Sequence, residues 1–180
     1  METSKCIRER RSVRKFTAEP ITFDTMDRIL DLARWAPSWK NSQTPRYTIV
    51  KNPELKAKIA DEGTLGFAFN TKTISRCACL VVMSAVTGVC GYEPDGSFTT
   101  DKGDSWEMFD AGVAAQTFCL AAHEHGVGTV ILGIYDGKKI AEMIDLPGNE
   151  RVTCLIACGY PEKAGNPPSR NGIEKIARYL

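Results

Sequence analysis

Residues 106–134, WEMFDAGVAAQTFCLAAHEHGVGTVILGI, predict a long helix followed directly by a buried strand. Apolar side chains recur at helical spacing from Trp106 to His125, and many of these side chains are small. Small residues let neighbouring elements approach closely, so this helix is expected to pack at the centre of the molecule. Gly126 and Gly128 end the helix, and 127–134 is then apolar enough for a buried strand.

Helices and strands are also predicted on both sides of this unit. Thr22 can cap a helix that Pro37 stops, and Asp136 can cap another that ends at 146–148. Strands are expected at 47–50, 77–86 and 152–159, and a short helix at 55–61. Gly and Pro interrupt every pattern in 87–105, which predicts a surface segment. With no linker or repeat, residues 1–180 are predicted to form a single domain whose sheet is buried under helices.

The composition of the chain limits its function. It has 180 residues, of which 43% are hydrophobic, and a formal net charge of +1, so it can fill one core and shows no charge bias towards nucleic acid or membranes. No apolar segment follows the basic residues near the N-terminus, so we expect a cytoplasmic protein. The seven cysteines lie mostly in apolar segments, which favours reduced core thiols over disulfides or a zinc site.

A basic cluster near the N-terminus is the first candidate binding feature. It consists of Arg10, Arg11, Ser12 and Arg14. Arg10 and Arg14 are four residues apart, which places their side chains on one face of a helix, with its period of about 3.6 residues, and also on one face of a strand, with its period of two. On an extended chain Ser12 joins them, and a hydroxyl between two guanidiniums suits a phosphomonoester with about two negative charges. A solvated basic run without a ligand would have the same sequence.

Three further segments have the chemistry to contact a flat ligand. The loop after the first predicted helix carries amide side chains that both donate and accept hydrogen bonds, and its candidate residues are Pro37, Ser38, Trp39, Asn41 and Gln43. At the exit of the strand that follows the long helix, Gly133 allows a planar ligand to approach the backbone. Arg170 is a further cation. Each segment also fits a purely structural role, as a helix-ending loop, a tight strand exit or a charge in the tail.

In this order, the four segments resemble the flavin mononucleotide (FMN)-dependent nitroreductase family over nearly the whole chain. The resemblance implies an α+β fold with an antiparallel-dominated sheet flanked by helices, and a domain-exchanging homodimer with two FMN sites at its interface. It implies that the phosphate, ribityl chain and pyrimidine end of FMN are contacted by Arg10, Ser12, Arg14 and Arg170, with Arg11 as a cofactor-binding candidate in the same segment. The isoalloxazine ring would be lined by Pro37, Ser38, Trp39, Asn41 and Gln43 of the other subunit, and on its second face by Ile131, Leu132 and Gly133.

The resemblance also implies the chemistry. NADH or NADPH would deliver a hydride to flavin N5, with Arg14 stabilising the negative charge left on the N1–O2 edge. A nitroaromatic, quinone or other conjugated acceptor would then be reduced in the same place by a ping-pong cycle. The sequence departs from the family pattern where Ile131 and Thr44 replace common prolines, and where Pro168 replaces a lysine found in many relatives.

Two other functions remain open from the sequence. One is a flavin-binding or flavin-sensing module without turnover, and the other is a thiol-based redox or metal protein. A small-molecule electron acceptor, rather than a nucleic acid or a membrane, is the expected partner besides a second copy of the chain.

Overall fold

A four-stranded antiparallel sheet forms the centre of the structure, a computed structural model that describes residues 1–163 and 165–180. The strands are β1 Pro45–Val50, β2 Cys79–Val86, β3 Gly128–Leu132 and β4 Glu150–Gly159. Their spatial order is β1-β2-β4-β3, and every neighbouring pair is antiparallel. The α+β fold with an antiparallel sheet flanked by helices is therefore confirmed.

Among the described residues six helices flank this sheet, at α1 Thr3–Glu9, α2 Phe23–Ala33, α3 Pro53–Glu62, α4 Ala68–Arg76, α5 Ser105–Glu124 and α6 Gly137–Met143, and a short helix α7 Ile173–Ile176 lies in the exposed tail. Both predicted caps are present: the Thr22 side chain accepts from the Thr25 amide at 3.0 Å, and the Asp136 side chain accepts from the Lys139 amide at 3.1 Å. Helix α2 ends about one turn before Pro37.

The core lies on both faces of the sheet because alternate residues of β2 and β4 point to opposite sides. On one face, Val81 and Ile156 pack against α2 and against Phe118 of α5. On the other face, Leu80 and Leu155 pack with residues of α3, α4 and α6. Helix α5 is thus central, as its small residues predict.

Residues 12–17 continue the fold beyond α1 as an extended segment at the open edge of β3. Ser12 forms a parallel bridge with Thr129, and the Val13 amide donates to the Thr129 carbonyl at 2.9 Å. Phe16 forms an antiparallel bridge with Pro161, just after β4. This segment, which we call the edge segment, was not predicted as a strand, and it positions the basic cluster.

The described cysteines are all free, and all except the half-buried Cys154 are buried, in agreement with their prediction as core thiols. Residues 165–180 are exposed throughout and include the short helix α7. Among the described residues no helix combines the length and the apolar character needed to cross a membrane.

Candidate functional site

The basic cluster spans the end of α1 and the start of the edge segment, with Arg10 and Arg11 half-buried and Ser12 and Arg14 exposed. Helix α1 ends at Arg10, and the chain is extended from there to Ser12, which forms the bridge with Thr129. Because side chains alternate along an extended chain, Ser12 and Arg14 share the exposed face while Val13 packs inward against Gly128. The extended alternative for this segment is therefore the one that the structure adopts.

Arg10 and Arg11 are adjacent in sequence but differ in their hydrogen bonds. Arg11 turns back on its own chain, where its Nη1 donates to the Arg8 and Arg10 carbonyls. Neither Arg10 nor Arg14 forms an ion pair with the described residues. The buried Nε atoms of Arg10 and Arg11 have no hydrogen-bond partner there either. Arg10 and Arg14 are thus the cluster's available cations.

Ile131 and Gly133 lie at the exit of β3, close to the basic cluster. Ile131 is 44% exposed on the α5 face of the sheet, although its neighbours in β3 are buried. It lines a cavity of about 150 Å³ together with Arg10, Ser12 and Gln116. A Cβ added to Gly133 would meet nothing within 4 Å, so the space beside this backbone is open. Leu132 is 4% exposed, and its side chain packs in the core on the other face of the sheet. Only its backbone can therefore contact a ligand here.

The loop 37–43 has an unusual backbone. Lys40, Asn41 and Gln43 all have positive φ angles, between 45° and 55°, which costs free energy in residues other than glycine. Two hydrogen bonds hold the loop: the Trp39 amide donates to Asp110 Oδ2 at 2.8 Å, and the Gln43 amide donates to Ser38 Oγ at 2.9 Å. Strained backbone of this kind is concentrated at functional sites.

Aromatic side chains of α5 pack beside this loop. The Trp39 and Trp106 ring centroids are 4.7 Å apart, and Trp106 meets Phe109 edge-on at 5.4 Å. Phe109 is 61% exposed, so its role is not that of a core residue. Lys40 also pairs with Glu93 at 3.2 Å, and the surface segment 87–105 therefore contacts the loop directly.

The structure brings together some of the predicted site residues and separates others. Arg10, Ser12 and Ile131 share the 150 Å³ cavity, and Ser12 and Arg14 share a second one of about 310 Å³. Ser38 and Gln43 instead line a separate cavity of about 490 Å³ between α2 and β1. Arg170 lies in the exposed tail, donates to the Pro168 and Ser169 carbonyls, and lines neither of the cavities that contain Ser12.

Three residues that shape this region were missed from the sequence. Asp110 holds the Trp39 amide, Lys163 lines the 310 Å³ cavity, and Asn70 Nδ2 donates to the Ile134 carbonyl at 2.9 Å just after Gly133. A carboxylate on an apolar helix face was a signal that Asp110 has a buried partner. Lys163 and Asn70 carried no such signal.

His123 lies behind the basic cluster, in a cavity of about 150 Å³ that Arg10 and Arg11 also line. Burial lowers the pKa of His123, and the charges of Arg10 and Arg11 act in the same direction. The imidazole is therefore neutral at neutral pH and adds no positive charge to the cluster.

Comparison with known proteins identifies the fold and the family. The nitroreductase family model matches residues 7–67 and 68–160. The chain is 27% identical over 169 residues to the FMN reductase (NAD(P)H) of Bacillus subtilis, a match that covers 89% of this chain and 66% of that protein.

Solved structures agree with this match. A nitroreductase family protein of Clostridium novyi is 28% identical, with a TM-score of 0.77 and coverage of 90% of this chain and 86% of the other. A protein of Exiguobacterium sibiricum, crystallised in complex with FMN, has the same fold with a TM-score of 0.84 at 22% identity, over 100% of this chain and 98% of that one. The family match spans most of the sequence, and this chain belongs to the nitroreductase family.

Proposed function

We propose that this chain is an FMN-dependent oxidoreductase that takes a hydride from NADH or NADPH and reduces a nitroaromatic, quinone or other conjugated acceptor. The observation that carries this proposal is the cavity in which Arg10 and Ser12 meet the exit of β3 at Ile131. Relatives named as an FMN reductase and as an NADPH nitroreductase support the cofactor and the donor.

The polar end of FMN fits the edge segment. A phosphomonoester needs cations and hydrogen-bond donors, and Arg10, Ser12 and Arg14 offer both without competing ion pairs among the described residues. Arg11, which bonds its own backbone, supports the segment, and Arg170 would reach this end only if the exposed tail moved or came from a partner subunit.

The ring of FMN fits the exit of β3. The exposed Ile131 side chain, the Leu132 backbone and the open space at Gly133 together offer an apolar surface with backbone groups at its end. Asn70 holds this exit in place through the Ile134 carbonyl. Phe67 and Phe69, which precede Asn70, are 38% and 73% exposed and suit a flat aromatic acceptor beside the ring.

FMN, when bound, supplies hydride transfer through N5 between the nicotinamide and the acceptor in a ping-pong cycle. The residues of this chain would bind and orient it: Arg14 would supply positive charge where negative charge develops on reduction, and the open backbone at Gly133 would allow the ring to approach. No side-chain nucleophile is needed, so we assign none.

We also propose that the protein works as a homodimer that exchanges segments between subunits. Ser38 and Gln43 lie in a different cavity from Arg10, Ser12 and Ile131 within one protomer, so a second copy could supply Pro37, Ser38, Trp39, Asn41 and Gln43 to the ring. Met108 and Phe109 on α5 are 47% and 61% exposed, and apolar side chains of the tail are exposed as well. Burying these surfaces against a second copy would remove apolar area from water.

An anaerobic titration tests the activity. The purified protein is reconstituted with FMN and titrated with NADH or NADPH while the flavin absorbance is recorded. Bleaching by one equivalent of donor, and recovery on adding an acceptor such as a quinone, is the expected result. Retention of FMN without bleaching by either donor would instead identify a flavin-binding module, and failure to retain FMN would reject the proposal.

The mass of the protein in solution tests the dimer. Light scattering coupled to gel filtration is expected to give twice the mass of one chain. A stable monomer that binds FMN fully would contradict the shared site.

A further inference from the structure

The chain leaving β4 runs antiparallel to the edge segment. Phe16 and Pro161 form the bridge, the Thr17 amide donates to the Tyr160 carbonyl at 2.8 Å, and the Glu162 amide donates to the Lys15 carbonyl at 3.2 Å. These contacts fix the register of the two segments. Lys15 lies opposite Glu162, and one step further Arg14 lies opposite Lys163.

The two neighbouring cross-strand pairs differ in charge. Lys15 and Glu162 carry opposite charges, so that pair is neutral. Arg14 and Lys163 carry like charges, and like charges directly opposite each other destabilise a strand pair. Neither of the two forms an ion pair with the described residues. The register therefore concentrates two uncompensated positive charges on one side.

A cavity of about 310 Å³ opens at this pair. Ser12, Arg14 and Lys163 line it, together with Lys15, Glu162 and Gly165. Ser12 is on the same face of the edge segment as Arg14, so its hydroxyl adds a hydrogen-bond donor beside the two cations. An anion bound between them would relieve the repulsion, and the charge of a phosphomonoester, about minus two, would balance it.

We propose that Lys163 is an anion-binding residue of the cofactor site that acts with Arg14 across the strand pair. This inference rests on the proposed FMN-dependent function and adds a cation that lies outside the basic cluster. The anion is carried by FMN, either as its phosphate or as the charge that the N1–O2 edge gains on reduction.

The test compares FMN with riboflavin, which lacks the phosphate, in the wild type and in Lys163→Gln. If the phosphate is the anion, K163Q weakens FMN binding about fivefold and leaves riboflavin binding unchanged, a modest effect because exposed charges are screened. If the ring edge is the anion, both flavins bind as before and the flavin midpoint potential falls. In either case Lys163→Arg, which keeps the charge, is expected to restore the wild-type value.

Lys58→Gln on α3 is the matched control, because Lys58 is exposed and lines neither of the cavities that contain Ser12. It should leave affinities and potential unchanged. The inference is overturned if K163Q matches the wild type in FMN affinity, riboflavin affinity and midpoint potential. Failure of the wild type to bind FMN would refute the proposed function instead, so the two failures are distinguishable.

Discussion

Asp110 illustrates how one buried carboxylate can hold a candidate binding loop. It is 3% exposed, and its Oδ2 accepts from the Trp39 amide at 2.8 Å and from the Cys90 thiol at 3.1 Å. The loop that it holds contains three residues with positive φ angles, each costing on the order of 1–3 kcal/mol. Asp110 therefore offsets strain in a segment that contains Ser38, Asn41 and Gln43.

We expect Asp110→Asn to loosen this loop. The loss of charge-assisted hydrogen bonds should lower the free energy of unfolding by about 1–3 kcal/mol and weaken FMN binding, as measured by urea denaturation and fluorescence titration.

Glu107→Gln is the control for this substitution. Glu107 lies one turn earlier on α5, is equally buried, and accepts from the Gly88 amide and Arg151 rather than from the loop. Its variant should lose stability but keep FMN affinity. Equal FMN affinity in D110N and the wild type would show that the loop does not depend on Asp110.

Candidate site residues were recognisable where the chemistry lies within one short segment. The basic cluster and Gly133 stand out in the sequence, and the structure does place Arg10, Ser12 and Ile131 around one cavity. The contact that Asp110 makes and the role that we propose for Lys163 depend on groups distant in sequence, the Trp39 amide and Arg14. Such partners become visible only when the register of the fold is known.

At the level of elements, Gly159 and Gly128 allow the edge segment to approach the sheet. A Cβ on Gly159 would lie 2.8 Å from Phe16 Cδ1, and one on Gly128 would lie 2.8 Å from Val13 Cγ2. Both distances are too short for carbon atoms, so a larger residue would push the edge segment outward.

Gly159→Ala is therefore expected to affect stability and cofactor binding together. Overpacking against Phe16 should cost about 1–3 kcal/mol in the free energy of unfolding, and displacement of Ser12 and Arg14 should weaken FMN binding. Denaturation and FMN titration measure the two effects.

Gly148→Ala provides the comparison, since nothing lies within 4 Å of its Cβ position. A surface change of this kind usually stays within about 0.5 kcal/mol. If G159A behaves like G148A, the edge segment does not need the close approach.

Elements with a clear apolar period were predicted, and those without one were missed. Helices α2, α5 and α6 and all four strands appear within a few residues of their expected positions. Helix α1 buries only Cys6, and α4 buries Asn70 and Thr73 besides Ile74, so neither shows an apolar stripe. Asn70 is buried because it bonds the Ile134 carbonyl, a tertiary contact that no local pattern reveals.

For the molecule as a whole, the buried thiols predict sensitivity to alkaline pH. Burial raises the pKa of Cys77 from 9.0 to about 12, and that of Cys154 likewise to about 12. The folded state thus keeps these thiols protonated where the unfolded chain would ionise them. Their contribution to stability is fully present below pH 9 and is lost as the pH rises from 9 towards 12.

The free energy of unfolding is therefore expected to fall above pH 9, by up to about 1.4 kcal/mol per pH unit for each such thiol. Urea denaturation at pH 8 and pH 10.5, under reducing conditions, measures the difference. Cys77→Ala cannot ionise at this position and should lose less stability between the two pH values. A wild-type curve that is flat over this range would contradict the assignment.

The edge segment also closes the sheet on one side. Its hydrogen bond from the Val13 amide occupies the Thr129 carbonyl of β3, which would otherwise be free to pair with a strand of another molecule. Because Ser12 and Arg14 of this segment are among the residues that we assign to FMN, loading with cofactor should also hold the segment against β3. We therefore expect FMN-depleted protein to aggregate sooner on storage than loaded protein, through pairing at this uncovered border.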